Sequence, residues 1–340
     1  ALGIMVFFIS VTDLIAAFFG GGLVLTFVLI MTGYFGVRFF GQGVLTSCSR
    51  NVLLRWFVKR RGLVSGIRGV FVSFGFSVAP LFLAGIIVFF EWRGALWLLA
   101  ILVGVVFAIF ALIFVRDDPA SCGLLPDGAK PEDNSEASLM EVESKTLADA
   151  RRSPAFWLYS MSLGMYAMFG TALTFHVVSI FEEAGRGRVE AFGYFIPSAI
   201  FSTVTNLLAS SFVDKHQLKP FLVAMLACFV IGAFGLLNLS EAWGYWLLAF
   251  GFGAGGGLWG VNSNLAYIRF FGPLHLGEIS GLSTSLTVFA SAVGPAAFSL
   301  GLDYFGSYDA AVKICLVLLS ALLCAATLLK QEELPIVSSA

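Results

Sequence analysis

The chain has 340 residues, 59% of them hydrophobic and only 12% charged, about half the charged share of an ordinary soluble domain. A net charge of −1 gives no electrostatic basis for binding nucleic acid. The five cysteines lack metal-ligand or redox spacing and lie mostly in apolar runs, so neither a metal site nor a disulfide is expected.

In chain order, apolar runs near 1–18, 23–48, 63–90, 94–115, 155–181, 189–213, 219–239, 243–268, 277–303 and 309–330 are candidate membrane spans. A helix needs roughly 20 residues to cross a bilayer. It must also satisfy its backbone polar groups internally. The runs are too long and too evenly apolar for barrel strands. The opening ALGIMVFFISVTDLIAAF reads as the inside of a span with no basic leader, so a truncated start is expected.

Segment 116–152 departs from this pattern. It holds nine acidic and five basic residues among Pro, Gly and Ser, and reads as a solvated linker. Its end, from Ser138 to Arg152, suits an amphipathic surface helix. The expected organisation is an N-terminal membrane half over 1–115, a linker over 116–153, a C-terminal membrane half over 154–330 and a tail over 331–340.

Basic residues set the expected orientation. Arg50, Arg55, Lys59, Arg60, Arg61, Arg116, Arg151, Arg152, Lys215, Lys219, Arg269 and Lys330 fall on one side of the alternating spans. Arg93, Arg186, Arg188 and Lys313 fall on the other. The richer side is expected to be cytoplasmic, which puts the linker and the C-terminus inside, with the plasma (inner) membrane as the location.

The sequence also echoes itself. Gly62-Leu63-Val64-Ser65-Gly66-Ile67 returns as Gly277-Glu278-Ile279-Ser280-Gly281-Leu282, and Ala79-Pro80 as Gly294-Pro295, at an offset of 215. One helix earlier, at 214, Gly41 and Gly43 fall on Gly255 and Gly257, and Arg55-Trp56-Phe57 on Arg269-Phe270-Phe271. Six spans follow the linker and four precede it. The offset therefore expects about 60 further residues, enough for two helices, before Ala1. Two parallel six-helix repeats would then be complete.

Several stretches resemble the major facilitator superfamily and, within it, the oxalate/formate antiporter and monocarboxylate transporter branch. Gly36-Val37-Arg38-Phe39-Phe40-Gly41-Gln42-Gly43 is similar to its arginine-containing fourth-helix motif. Arg55-Trp56-Phe57-Val58-Lys59-Arg60-Arg61-Gly62 is similar to its basic loop before helix five. Gly75 with Ala79-Pro80 resembles the fifth-helix Gly-Pro motif, and Glu91-Trp92-Arg93 an outer turn. Arg116-Asp117-Asp118-Pro119 and Gly123-Leu124-Leu125-Pro126-Asp127-Gly128 resemble the linker start. The resemblance implies an all-α integral membrane fold, with helices three to twelve of twelve present, and secondary active transport. Ser211-Phe212-Val213-Asp214-Lys215 matches the C-half Gly-rich loop without its glycine. Residues 189–213 and 279–302 contain no Lys or Arg, unlike relatives that hold carboxylates there.

An ionisable group inside a span is costly and so a functional candidate. Arg38, with Gln42 one turn on, could hold a carboxylate or help a proton move; the alternative is an arginine bonded to helix carbonyls. Arg68 reads as a snorkelling side chain. His176 suits proton coupling or solute hydrogen bonding, against an ordinary satisfied core histidine. Asp13 reads as an interfacial cap. Ser202, Thr203 and Ser210, like Thr284, Thr287 and Ser291, read first as helix glue. Asn206, Trp259 and Asn262 are stronger candidates for a solute path. Arg61, Asp214 and Glu278 are expected at a cytoplasmic gate, where an acid complements a helix N-terminus in one conformation only.

The leading expectation is a carrier of a small organic solute, with a monocarboxylate as the candidate substrate, moved by alternating access with proton coupling or exchange. Its partners would be the lipid bilayer, an anionic small molecule and protons, with no cofactor. The alternative is a membrane sensor or scaffold that keeps the fold without transporting. An enzyme is disfavoured, because the spans carry no His-Glu-x-x-His, Gly-x-Ser-x-Gly or paired-Asp constellation.

Overall fold

The computed structural model describes residues 1–58, 60–128 and 144–330. Among them the regular structure is helical throughout. In chain order the helices are α1 (Leu2–Phe18), α2 (Leu23–Val37), α3 (Thr46–Trp56), α4 (Arg61–Ile101), α5 (Phe107–Phe114), α6 (Leu147–Arg152), α7 (Pro154–Glu183), α8 (Arg188–Gly193), α9 (Phe195–Val213), α10 (Lys219–Leu237), α11 (Ala242–Phe271), α12 (Leu276–Phe305) and α13 (Asp309–Leu328). A π-helical stretch, Arg38–Leu45, joins α2 to α3, and another, Leu102–Val106, joins α4 to α5.

Seven helices among the described residues are long and apolar enough to cross a membrane: Leu23–Trp56, Gly85–Phe114, Pro154–Glu183, Arg188–Val213, Lys219–Leu237, Leu276–Phe305 and Asp309–Leu328. Ten such segments are expected from the sequence; those over 1–18, 63–90 and 243–268 are not among the seven. Leu2–Phe18 is apolar but shorter. Helix α11 has 30 residues, but its glycines and asparagines dilute its apolar character. The run expected over 23–48 continues as helix to Trp56. The turn expected at 91–93 is a single non-helical residue, Glu91 (φ 58, ψ 174), inside α4. Of the linker, residues 129–143 lie outside the described residues. Of the helix expected over 138–152, the described part, 144–152, is helical at Leu147–Arg152, where Thr146 and Asp149 form a reciprocal capping box. The Asp149 carboxyl is held below its usual range chiefly by the Thr146 hydroxyl.

The internal echo is visible in the backbone. Helix α3 ends at Trp56 and α11 at Phe271, 215 residues later. Helix α4 starts at Arg61 and α12 at Leu276, the same distance on. Glu91, with its positive φ, is matched by Gly306 (φ 69), the left-handed residue that ends α12.

The described residues fall into two compact units. One comprises Ala1–Trp56 with the described part of Phe74–Pro131, and the other Phe57–Ser73 with the described part of Glu132–Ala340. In the first, α1 packs on α2, and close approach is set by small residues. A Cβ on Gly33 would lie 2.6 Å from the Ile9 side chain, and one on Gly3 2.6 Å from the Gly104 backbone. Gly104 sits in the π-helical stretch 102–106, whose wider turn presents its backbone to α1. At the other end of α1, Asp13 is ion-paired with Arg93, and Trp97 Nε1 donates to Ser10 Oγ at 2.9 Å. Asp13 is thus a side-chain partner rather than the cap expected.

In the second unit, α11 lies between α9 and α10, α7 packs along α12, and α13 covers α10. Phe156, Phe169, Phe181, Phe229, Phe271 and Phe298 are fully buried among these helices. Glycines set the separations, the usual solution where lipid gives no hydrophobic drive for helix association. A Cβ on Gly235 of α10 would lie 2.6 Å from Leu248 N and 2.8 Å from Gly244 O on α11. A Cβ on Gly251 would meet the backbone of Gly232 and the Cys228 carbonyl. Backbone cannot step aside, so the crossing must widen. Overpacking of this kind costs about 1–3 kcal/mol. Gly251→Ala should therefore lower the thermal unfolding midpoint in detergent by several degrees. Gly281→Ala, at a position with nothing within 4 Å, should leave it unchanged.

Candidate functional site

The first turn of α4 and the end of α9 meet at Asp214. The leading N–H groups of any helix lack partners within that helix. Here the Gly62 N–H donates to Asp214 Oδ1 at 2.9 Å and Oδ2 at 3.1 Å, and the Leu63 N–H donates to Oδ2 at 3.3 Å. A carboxylate at this place also complements the helix dipole. Only glycine allows the approach, since a Cβ on Gly62 would lie 2.5 Å from Val213 Cγ1 and 2.7 Å from Asp214 Oδ1.

Arg269, in the last turn of α11, completes the junction. Its Nη1 donates to His216 O at 2.8 Å and its Nη2 to Val213 O at 2.7 Å, while Nη2 lies 3.7 Å from Asp214 Oδ1. A cation thus caps the carbonyl end of α9 beside the anion that caps α4. Burial pushes the Asp214 carboxyl above its usual range, against the opposing pull of the Gly62 and Leu63 N–H groups, Arg269 and Arg61. Arg61 Nε donates to Phe57 O at 2.9 Å. Of the three residues expected at a gate, Asp214 and Arg61 are in this cluster. Glu278 is exposed in the first turn of α12 and takes no part in it. The sequence reading omitted Arg269 from the gate. Its position in the last turn of a helix was the available signal.

Above the junction, α4 and α9 run antiparallel through small residues. Gly66 faces Ser210, whose Oγ would lie 2.7 Å from an added Cβ, and Gly69 faces Asn206, whose Oδ1 would lie at 2.7 Å. Arg68 Nη1 donates to Asn264 Oδ1 of α11 at 3.3 Å, so Arg68 is bonded within the protein rather than snorkelling.

The remaining candidates in this unit separate. Asn206 is buried and donates from Nδ2 to Gly257 O at 2.9 Å, tying α9 to α11. Its Oδ1 has no hydrogen-bond partner among the described residues. Asn262 is fully buried. Its Nδ2 donates to Leu258 O at 2.9 Å and lies 3.9 Å from Met225 Sδ, so it faces α10 and not Asn206. Trp259 Nε1 donates to Leu163 O of α7 at 3.2 Å, and its ring lies 5.5 Å from that of Tyr166.

His176 joins three elements. Its Nε2 lies 3.1 Å from Pro295 O on α12 and its Nδ1 3.3 Å from Tyr308 Oη, ahead of α13. A carbonyl can only accept, so Nε2 carries the proton and Nδ1 accepts from the tyrosine hydroxyl; the tautomer follows from the network. Ser299 Oγ is 3.5 Å from Nε2, and the Glu183 carboxylate accepts the Tyr308 N–H at 3.4 Å.

Arg38 and Gln42 belong to the other unit. Both are exposed on the π-helical stretch Arg38–Leu45, which ends with Thr46 Oγ1 donating to Gly41 O at 3.1 Å. Such wide turns are frequent at functional sites.

Three comparisons bear on this arrangement. No curated protein matches the sequence. Among solved structures the fold is similar to that of a variant of the E. coli fucose:proton symporter FucP. The TM-score is 0.61 at 14% identity, over 97% of this chain and 83% of that one. The model of the Major Facilitator Superfamily matches residues 1–332. This is an integral membrane protein of transporter fold, and the chain belongs to the Major Facilitator Superfamily.

Proposed function

We propose that this protein is a secondary active carrier of a small organic solute that works by alternating access, with the Asp214 junction as a latch closed in one state and open in the other. The observation that carries this reading is the capping of the α4 N-terminus by a carboxylate from a different helix. Such a bond is strong when made, about 1.5–3 kcal/mol for a charged partner, and it is lost when the helix ends part. The helix ends repeated at 215 residues support ten spanning helices, occupying positions three to twelve of two six-helix halves, divided by the linker after residue 115. The distribution of basic residues supports a cytoplasmic place for the latch, the linker and the C-terminus, with the plasma membrane as the setting.

The substrate proposed is a monocarboxylate, with Arg38 as the fixed cation and Gln42 beside it. Proton coupling is proposed at His176, whose two ring nitrogens link α7 to Pro295 O and Tyr308 Oη. The FucP relative is itself a proton symporter, which supports the coupling but not the solute class. Asn206 and Asn262 then act as supports of the C-terminal half, through the bonds described above, and Trp259 stays on the solute path.

Uptake of radiolabelled short organic acids into vesicles bearing the full-length protein tests each part. Asp214→Ala leaves two N–H groups and Arg269 without their anion and should reduce uptake roughly tenfold or more, by the energy above. Asp214→Glu should retain part of the activity. Unchanged uptake in Asp214→Ala would remove the latch from the mechanism. An imposed pH gradient should drive uptake in the wild type and lose its effect in His176→Ala. A gradient response that survives this change assigns the proton elsewhere. Arg38→Lys, which lacks the planar fork that matches a carboxylate, should raise KM for acids, and no change would make Arg38 structural.

A further inference from the structure

Near the middle of four helices in the second unit, four side chains and a glycine tract come together. Each of the three consecutive glycines of α11 faces a different neighbour. Gly255 lies against the Phe229 ring of α10, and Gly257 against the Ser202 carbonyl of α9. Gly256 alone faces side-chain oxygens. A Cβ placed on it would lie 2.8 Å from Tyr166 Oη of α7 and 3.6 Å from Ser202 Oγ of α9. Neither hydroxyl has a hydrogen-bond partner among the described residues.

Among the described residues Ser162 and Ser280 also lack a hydroxyl partner, but both are buried, whereas Tyr166 and Ser202 are partly exposed. Thr174, Ser211, Ser285, Thr287 and Ser320 each donate to the carbonyl four residues earlier, the ordinary fate of a hydroxyl that serves only packing. Ser202 does not. Tyr166 has little freedom to find a partner, because its ring is stacked on Phe229 with centroids 4.7 Å apart and planes 14° apart. The Trp259 ring beside it is held by its bond to Leu163 O. Tyr166, Ser202, Gly256 and Trp259 are all partly exposed. Polar groups at membrane depth are tolerated where they line a water-filled cavity, and an unpaired hydroxyl in a dry site is costly.

The neighbourhood is also neutral. Helices α7 and α9 carry no Lys or Arg, Arg269 lies at the far end of α11, and Arg68 of α4 is engaged by Asn264, five residues beyond Trp259. Two hydroxyls and an indole face, with no cation, discriminate for an uncharged oxygen attached to an apolar skeleton.

We propose that Tyr166, Ser202 and Trp259, around the gap left by Gly256, form a neutral solute subsite that takes a hydroxyl-bearing, uncharged part of the transported molecule. This rests on the carrier reading above and narrows it: the solute has at least one hydroxyl that Tyr166 and Ser202 hydrogen-bond, and its apolar face lies on Trp259. Gly256 is glycine because a methyl group would occupy the place of the solute oxygen.

The test replaces the five native cysteines and adds Ser202→Cys, then treats membrane vesicles with a small hydrophilic thiol reagent. Ser211→Cys, at the exposed end of the same helix, serves as the control. The subsite predicts that Ser202→Cys is modified. It also predicts protection by solutes with a hydroxyl over partners lacking it, using lactate against propionate and galactose against fucose as probes. The hydroxyl-bearing member of at least one pair should slow labelling about fivefold more than its partner, the worth of one neutral hydrogen bond. Tyr166→Phe, which keeps the stacking, should abolish that difference, and Gly256→Ala should slow labelling by filling the gap. An unreactive Ser202→Cys beside a reactive Ser211→Cys would overturn the proposal. So would labelling that none of the four probes slows. Protection without uptake of any probe by the wild type would support the subsite and count against the carrier reading, which keeps the two failures apart.

Discussion

The first turn of α4 presents N–H groups that its own helix cannot satisfy, and the structure answers them with a carboxylate from the end of α9. Much in this region follows from that demand. Position 62 must be glycine, since any Cβ would strike Val213 and Asp214. Asp214 must be desolvated to reach the backbone, and burial accordingly pushes its carboxyl up. Arg269 then has a double task, holding the α9 carbonyls and offsetting the charge of Asp214. A bond between the ends of separate helices is also one that can be broken without unfolding either. That property makes it suitable for a carrier.

Close packing around this junction comes from glycine rather than from large apolar side chains. Along α4, Gly62, Gly66 and Gly69 face Asp214, Ser210 and Asn206 in antiparallel order. Along α11, Gly251 meets α10 while Gly253 and Gly257 meet α9. The two sets differ in consequence. The α10–α11 crossing is backbone on backbone at Gly232, Gly235, Gly244 and Gly251, and suits a permanent contact. The α4–α9 line carries a carboxylate, a hydroxyl and an amide, each of which can be hydrated when the helices separate. Polar groups at such a contact lower the cost of parting it, because water replaces each lost bond.

The helices were legible in the sequence because span length and continuous apolarity are one-dimensional properties. Even the repeat was legible: matched glycines near 62 and 277 mark helix starts 215 residues apart, and the structure adds the matched positive φ of Glu91 and Gly306. What the sequence does not carry is rotation about each helix axis. Asn262 and Asn264 are two residues apart, hence roughly 200° apart around α11. One turns to Met225 of α10 and the other to Arg68 of α4, a distinction that no spacing rule makes. The π-helical stretch at Arg38 escaped notice for a related reason, since its residues are compatible with an ordinary helix. Tyr166 was missed because an aromatic in an apolar run reads as core. The place of its hydroxyl, at the gap beside Gly256, sets it apart. Asp214 was foreseen as a gate acid complementing a helix N-terminus, but its recipients, the Gly62 and Leu63 N–H groups, lie 152 and 151 residues away in sequence.

The central claim is that the start of α4 and the end of α9 exist in two arrangements governed by Asp214. Spin labels at positions 63 and 215, both exposed, report on it most directly through their distance distribution by double electron–electron resonance in lipid. The account predicts a short-distance population in the wild type that gives way to a longer one in the Asp214→Ala variant. A single distribution, the same in both proteins, would contradict it.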